Sequence, residues 1–282
     1  MRLTLKLHKV SERVYANWDG ETGGNVGIII GDVAVYAVDS QFPAPARDFR
    51  ANIPSVTDKP VTHLILTHMH SDHVLGSQAF EDCEIISHRK VKEKMEKKLQ
   101  EEWSPAKLET TLEDIKKSRP EMAPLFEGLR IVLPTKVFEH EYEDDNVKVI
   151  NTGGHTDCSS IVYVKEDATL FIGDLLVPGM FPYAGDPSSD PIAWITAFKT
   201  IIDLQPKTVI PGHGKICDIE EVKNQLTYFE ATKEIMTGLI LDGVTLNAAI
   251  EHEGYPHLYN STGGEEELYL KALYRVLKRC NY

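Results

Sequence analysis

The sequence predicts a single α/β domain of two packed sheets flanked by helices. Two observations predict it. Short apolar runs rich in Val and Ile, which read as buried strands, are mixed throughout with stretches whose apolar residues recur at helical spacing. No repeat and no low-complexity linker divides the 282 residues, and a hydrophobic content of 42% supplies a substantial core.

The elements follow in order. Residues 1–7 alternate apolar and polar, with Leu3, Leu5 and Leu7 on one face, a strand pattern and not a signal-peptide core. A second strand covers 10–15. Gly23-Gly24-Asn25 is a turn signal leading into an apolar strand over 26–30, and Gly31-Asp32 breaks the chain before a strand over 33–38 that closes on Asp39. Pro43 and Pro45 mark a loop, and 46–53 a short helix. A strand over 61–67 precedes a helix from Asp72 toward Phe80, and Glu84 to Ser87 is again a strand. Val91, Met95, Leu99 and Trp103 recur every four residues, so a helix is expected there. Ser104-Pro105 reads as an N-cap with Pro at the first helical position of the next helix, and a third short one surrounds Leu125 and Phe126. Residues 89–130 therefore form a helical insertion, expected to pack, to cover the site or to form a homodimer contact. Strands resume at 137–138, 147–150, 161–164 and 169–172. Asp190-Pro191 starts a helix, 209–210 is a short strand, and 220–282 is mainly helical.

The chemistry concentrates in Thr67-His68-Met69-His70-Ser71-Asp72-His73, on the turn that leaves the strand over 61–67. Imidazole and carboxylate donors leaving a strand at one edge suit zinc or a similar divalent ion. Three further sites repeat the arrangement of an apolar strand followed by a glycine-flanked polar residue. They are Gly153-Gly154-His155, Gly173-Asp174 and Gly212-His213-Gly214. Glycine beside a ligand lets the backbone turn sharply.

The net charge is −13, so a polyanion would need a local basic patch. The most basic stretch, 90–98, is interleaved with Glu93 and Glu96 and reads as a solvated helix face, which argues against nucleic acid as a partner. No apolar run approaches a membrane span. Cys83, Cys158, Cys217 and Cys280 are widely spread without a Cys-x-x-Cys pair, as expected for reduced thiols in the cytoplasm.

The ordered set His68, His70, Asp72, His73, His155, Asp174 and His213 resembles the metallo-β-lactamase fold superfamily, as do Gly23 to Gly27 and the strand ending in Asp39. The resemblance implies a four-layer αβ/βα sandwich with a helical insertion. It implies a first metal on His68, His70 and His155, a second on Asp72, His73 and His213, Asp174 bridging them, and Asp39 supporting a ligand from behind. Within the superfamily, the stretch from Gly173 through Trp194 to Gly214 is most similar to zinc metallohydrolases of the quinoprotein-relay and sulfur-oxidation type. Three departures narrow it. Position 174 is Asp and not the Cys of the β-lactamases, no Gly-Cys-Gly-Arg follows Asp174 as in glyoxalase II-like enzymes, and His70 replaces the Glu of the flavodiiron pattern.

The function so implied is a dinuclear metal-dependent hydrolase whose metal-bridging hydroxide attacks a small ester, thioester, lactone or amide, with zinc expected and iron or manganese as alternatives. Asp72 is the expected catalytic carboxylate, orienting the nucleophile or moving a proton to the leaving group. Tyr183, Tyr255 and His257 are candidate substrate contacts, whereas His63 and His88 read as structural. The alternatives are a mononuclear iron persulfide dioxygenase of the same fold and a non-catalytic metal-binding scaffold.

Overall fold

The computed structural model describes residues 5–18, 23–259 and 264–280. The first half of the expected N-terminal strand, including Leu3, lies outside the described residues, as does the side chain of Cys280. In chain order the elements begin with β1 (His8–Lys9), β2 (Val14–Asn17), β3 (Val26–Ile30), β4 (Val35–Val38), α1 (Pro43–Asn52) and β5 (His63–Leu66). Then come α2 (Ser71–Val74), β6 (Glu84–His88), α3 (Arg89–Gln100), α4 (Pro105–Ser118), β7 (Lys136–Phe138), β8 (Glu141–Asp144), β9 (Val147–Asn151), β10 (Ser160–Val164) and β11 (Thr169–Phe171). The chain continues with α5 (Pro191–Asp203), β12 (Thr208–Ile210), α6 (Ile219–Leu241), α7 (Leu246–Ile250) and α8 (Glu265–Cys280).

The strands make two sheets. One runs β1-β2-β3-β4-β5-β6-β7, antiparallel up to β4 and parallel from there. The other runs β12-β11-β10-β9-β8, with only β11 and β12 parallel. Parallel neighbours need a crossover, usually helical. The expected helical insertion has this role: α3, α4 and a 3-10 turn at Ala123–Phe126 carry the chain from β6 to β7.

Alternation along the strands builds the layers. Ile29, Ile65 and Ile86 face inward and meet Val149, Val162, Phe171 and Ile210 of the other sheet. Their neighbours Ile28, Leu64, Leu66 and Ile85 face outward and pack with Phe49, Val91 and Met95 of α1 and α3. Ile161, Leu170 and Val209 of the second sheet face outward toward Trp194, Phe198, Phe229 and Tyr269 of α5, α6 and α8. Three apolar seams between four layers give the expected αβ/βα sandwich.

Several boundaries differ from expectation for identifiable reasons. Leu5 and Leu7 pack against the outer seam of the first sheet, but their backbone joins no strand, because alternation reports burial and not ladder pairing. Residues 10–13 are a turn closed by Val10 N donating to Val14 O at 2.8 Å, so β2 starts at Val14. The edge strand β8 has no counterpart in the sequence pattern, because Glu141, Glu143 and Asp144 give it no apolar run; exposed edge strands carry such charges. Ser104 occupies the N-cap position of α4, but its hydroxyl donates backward to Glu101 O at 2.8 Å and caps nothing.

Asp190 caps α5 fully. Its Oδ1 accepts from Ile192 N at 2.8 Å and Ala193 N at 3.0 Å. Asp190→Ala should cost about 1 kcal/mol. A urea melt checks it, and an unchanged midpoint would show that packing alone holds the helix.

Candidate metal centre

All the candidate donors leave the same edge of the sandwich. Asp39 follows β4, and His68 follows β5. His70 is the N-cap of α2, whose first turn carries Asp72 and His73. His155 lies beyond β9, Asp174 beyond β11 and His213 beyond β12. Because β4 and β5 are parallel, as are β11 and β12, both sheets present carboxyl ends at this edge. Asn25 ties the two halves: its amide nitrogen donates to Pro211 O and Gly214 O, each at 2.8 Å, bracing the turn that carries His213. At Gly212 a Cβ would lie 1.9 Å from Asp174 Oδ1, so only glycine lets that turn approach the carboxylate.

The donors gather into two groups around Asp174. His68, His70 and His155 form one with Asp174, and Asp72, His73 and His213 form the other. Asp174 Oδ2 is 3.6 Å from His68 Nε2, 3.7 Å from His155 Nε2 and 3.5 Å from His213 Nε2, while Oδ1 is 3.2 Å from His73 Nε2. His155 Nε2 lies 2.9 Å from His70 Nδ1, and His213 Nε2 lies 3.1 Å from Asp72 Oδ2. His68 Nε2, His73 Nε2 and Asp174 Oδ1 are buried without a hydrogen bond among the described residues. Orphaned buried polar atoms are costly, and these three point into one small volume. Nitrogen and oxygen donors so placed fit a divalent cation in each group.

The far nitrogen of four imidazoles is held from behind. His73 Nδ1 is 2.8 Å from Asp39 Oδ2, and His155 Nδ1 donates to Tyr183 O at 2.8 Å. His70 Nε2 faces Asp186 Oδ2 at 3.2 Å. Thr67 Oγ1 donates to Asp39 Oδ2 at 2.7 Å, so its lone pair is left for His68 Nδ1–H at 3.1 Å. Each partner fixes the tautomer that leaves the inner nitrogen free to bind. Sequence reasoning found Asp39 but missed Thr67 and Asp186. Asp186 sits in a Gly-Asp-Pro turn with no ligand pattern, and only the fold brings it to His70. If the Asp72, His73 and His213 group takes a cation, Asp39→Asn should weaken its binding about 10- to 100-fold. Chelator competition measures this, and an affinity equal to wild type would remove Asp39 from the site.

Electrostatics follow burial and partners. Burial pushes His68 down to about 4 and His155 to about 3. At His73 and His213 burial acts the same way, but the neighbouring carboxylates outweigh it. His73 rises well above its usual value, and His213 to about 9. Burial raises Asp72 and Asp174, yet the surrounding imidazoles hold both below the usual carboxylate range.

The remaining candidates separate. Tyr183 stands at the rim, half exposed, with its ring centroid 6.4 Å from those of His70 and His155. Tyr255 and His257 do not reach the centre. The Tyr255 hydroxyl donates to Ala249 O at 3.0 Å within the α6–α8 seam, and His257 lines a separate surface hollow with Asn224 and Thr227 of α6. His63 stacks on Tyr36, and His88 accepts from Lys90 N at the start of α3. Cys158 is buried and Cys217 partly so, and burial lifts the Cys217 thiol to about 12. Beside His70 opens a cleft of about 590 Å³, walled by Met69, Lys94, Tyr183, Asp186 and Ser188.

Comparison with known proteins places this geometry. Residues 20–213 match the metallo-β-lactamase superfamily. The chain is similar to the β-lactamase-like protein 2 homolog of Drosophila melanogaster, 30% identical over 94 residues, covering 32% of this chain and 29% of that one. The Caenorhabditis elegans homolog is 24% identical over 174 residues, covering 61% of this chain and 49% of that one. The match thus spans less than half the length of either relative. Among solved structures, a metallo-β-lactamase from Hirschia baltica superposes with a TM-score of 0.60 at 19% identity, over 79% of this chain and 96% of that one. The sec-alkylsulfatase Pisa1 from Pseudomonas sp. superposes with a TM-score of 0.69 at 16% identity, over 98% of this chain and 50% of that one. Identities this low speak for the fold alone.

Proposed function

Because the chain belongs to the metallo-β-lactamase superfamily, we propose that it is a metal-dependent hydrolase that holds two divalent cations and cleaves a small ester, thioester, lactone or amide. The observation that carries this reading is the pair of donor groups on either side of Asp174, whose carboxylate reaches imidazoles of both, with inward-facing buried atoms that have no hydrogen bond among the described residues. A single ion would leave the Asp72, His73 and His213 group unused, so the donor count favours two ions over the mononuclear iron dioxygenase.

His68, His70 and His155 would hold the first cation and Asp72, His73 and His213 the second, with the Asp174 carboxylate within reach of both groups. When bound, such a pair supplies a water acidic enough to be a nucleophile near neutral pH and a positive field for a developing oxyanion. Asp72 is the carboxylate that belongs to the second group alone among the described residues, and its Oδ2 lies beside His213 Nε2. It orients the attacking water and passes the proton to the leaving group. Tyr183, at the rim of the cleft, contacts the substrate. The Tyr183 carbonyl, which accepts from His155, keeps this segment in register with the centre.

The test is metal content per chain after reconstitution with zinc, manganese or iron, with each form run against a panel of esters, thioesters, lactones and amides. About two ions and hydrolysis are expected. One iron with oxygen uptake on glutathione persulfide would select the dioxygenase, and less than one ion per chain would end the reading. Salt-dependent RNA binding with cleavage would move the substrate to nucleic acid.

A further inference from the structure

Helix α3 meets the donor-bearing loops through two lysines one turn apart. Lys90 Nζ lies 3.2 Å from Asp157 Oδ2, and Lys94 Nζ donates to Asp157 Oδ1. Asp157 sits two residues after His155. Lys94 Nζ also donates to Ser188 Oγ at 3.0 Å. The Ser188 hydroxyl receives Asp157 N at 3.2 Å as well, and stands 2.5 Å from Asp186 Oδ1. Ser188 N donates to the same Asp186 oxygen at 2.7 Å. The other oxygen, Oδ2, faces His70 Nε2.

The direction of this row of bonds is forced. An ammonium and a backbone amide can only donate, so both hydroxyl lone pairs of Ser188 are taken. Its single proton must then point at Asp186 Oδ1. With two donors on Oδ1, Oδ2 is left for His70 Nε2–H, and His70 Nδ1 keeps its lone pair toward the centre. The neighbouring lysines do not share in this. Lys97 and Lys98 pair with Glu101 and Glu102 on their own side of the cleft.

We propose that Lys94 is a positioning residue that sets the orientation of His70 through Ser188 and Asp186, so that the helical crossover between β6 and β7 is mechanically tied to the first metal position. The proposal rests on His70 being a metal ligand. It also makes the cleft wall part of the relay, because Lys94, Ser188, Asp186 and His70 all line it. A substrate that displaces Lys94 from Ser188 would loosen His70.

The test compares wild type, Lys94→Met, Ser188→Ala, Asp186→Asn and the double variant Lys94→Met/Asp186→Asn. Zinc affinity is read by chelator competition, site geometry by the visible spectrum of the cobalt(II) form, and stability by thermal melting. Asp186→Asn should weaken the ion at the His68, His70 and His155 position about 10- to 100-fold, and Lys94→Met and Ser188→Ala about 10-fold, each with an altered cobalt spectrum. Because the residues act through one path, the double variant should bind no more weakly than Asp186→Asn alone. Lys94→Arg, which keeps the charge and the donors, should recover part of the loss. Additive losses, or a Lys94→Met protein that melts earlier but binds zinc and absorbs like wild type, would overturn the proposal and leave Lys94 as a fastener of α3 only. Should Lys94→Met not fold, Ser188→Ala decides by the same readings. Wild-type protein that takes up no metal would instead remove the reading of the centre itself.

Discussion

Asp174→Ala is expected to lower the metal content from about two ions per chain to one or fewer, and turnover by at least about 100-fold. The carboxylate is the one residue common to both donor groups by distance, within 3.2–3.7 Å of four imidazole nitrogens. Its removal leaves those imidazoles without the negative charge that would hold two cations near each other. The fold should survive, because Asp174 lies on a short 3-10 turn at the sheet edge and takes no part in the apolar seams. Circular dichroism would confirm that. His213→Ala is the control that separates the two positions. His213 belongs only to the second group and is partly exposed, so this variant should lose one ion and keep the other. An Asp174→Ala protein with wild-type metal content and turnover would refute the dinuclear reading.

Trp194→Ala should produce the largest loss of stability, about 3–5 kcal/mol, seen as a fall in Tm on the order of 10 °C. The indole is fully buried at the start of α5, and its ring packs edge-on against Phe229 with centroids 5.5 Å apart. Its Nε1 donates to Leu175 O at 2.8 Å, one residue beyond Asp174. Truncation therefore opens a cavity and orphans a buried carbonyl beside the centre. The same ring stands 5.7 Å from the His155 imidazole, and a Cβ at Gly154 would lie 3.0 Å from Trp194 Cα. Metal affinity should consequently fall along with stability. A Tm within about 2 °C of wild type would show that the α5 seam collapses around the gap, and the argument from packing would fail.

The sequence alone singled out the candidate donors that the fold brings together, and two packed sheets flanked by helices. Histidine and aspartate cannot be replaced as ligands by their neighbours in the chain, so His68, His70, Asp72, His73, His155, Asp174 and His213 stood out by type, and the glycines beside them by the turns they permit. The apolar runs likewise announced β3, β5, β6 and β10, because a strand buried on both faces has no polar face to show. Where burial was one-sided or absent the sequence was silent, as at the charged edge strand β8.

Asp39 aside, only the tertiary structure decided which partners hold the imidazoles from behind. Thr67 and Asp186 are ordinary residues whose role comes from where a hydroxyl and a carboxylate end up relative to His68 and His70. Nothing in composition separates Tyr183 at the rim from Tyr255 in the helical seam; both are tyrosines near glycine, and only packing sends one to the cleft and the other to Ala249. The link from Lys94 to His70 passes through Asp186 and Ser188, which belong to a single loop far along the chain from both. Ligand chemistry is a property of single side chains and is written locally, whereas orientation depends on distances between remote segments, which exist only once the two sheets have closed on each other.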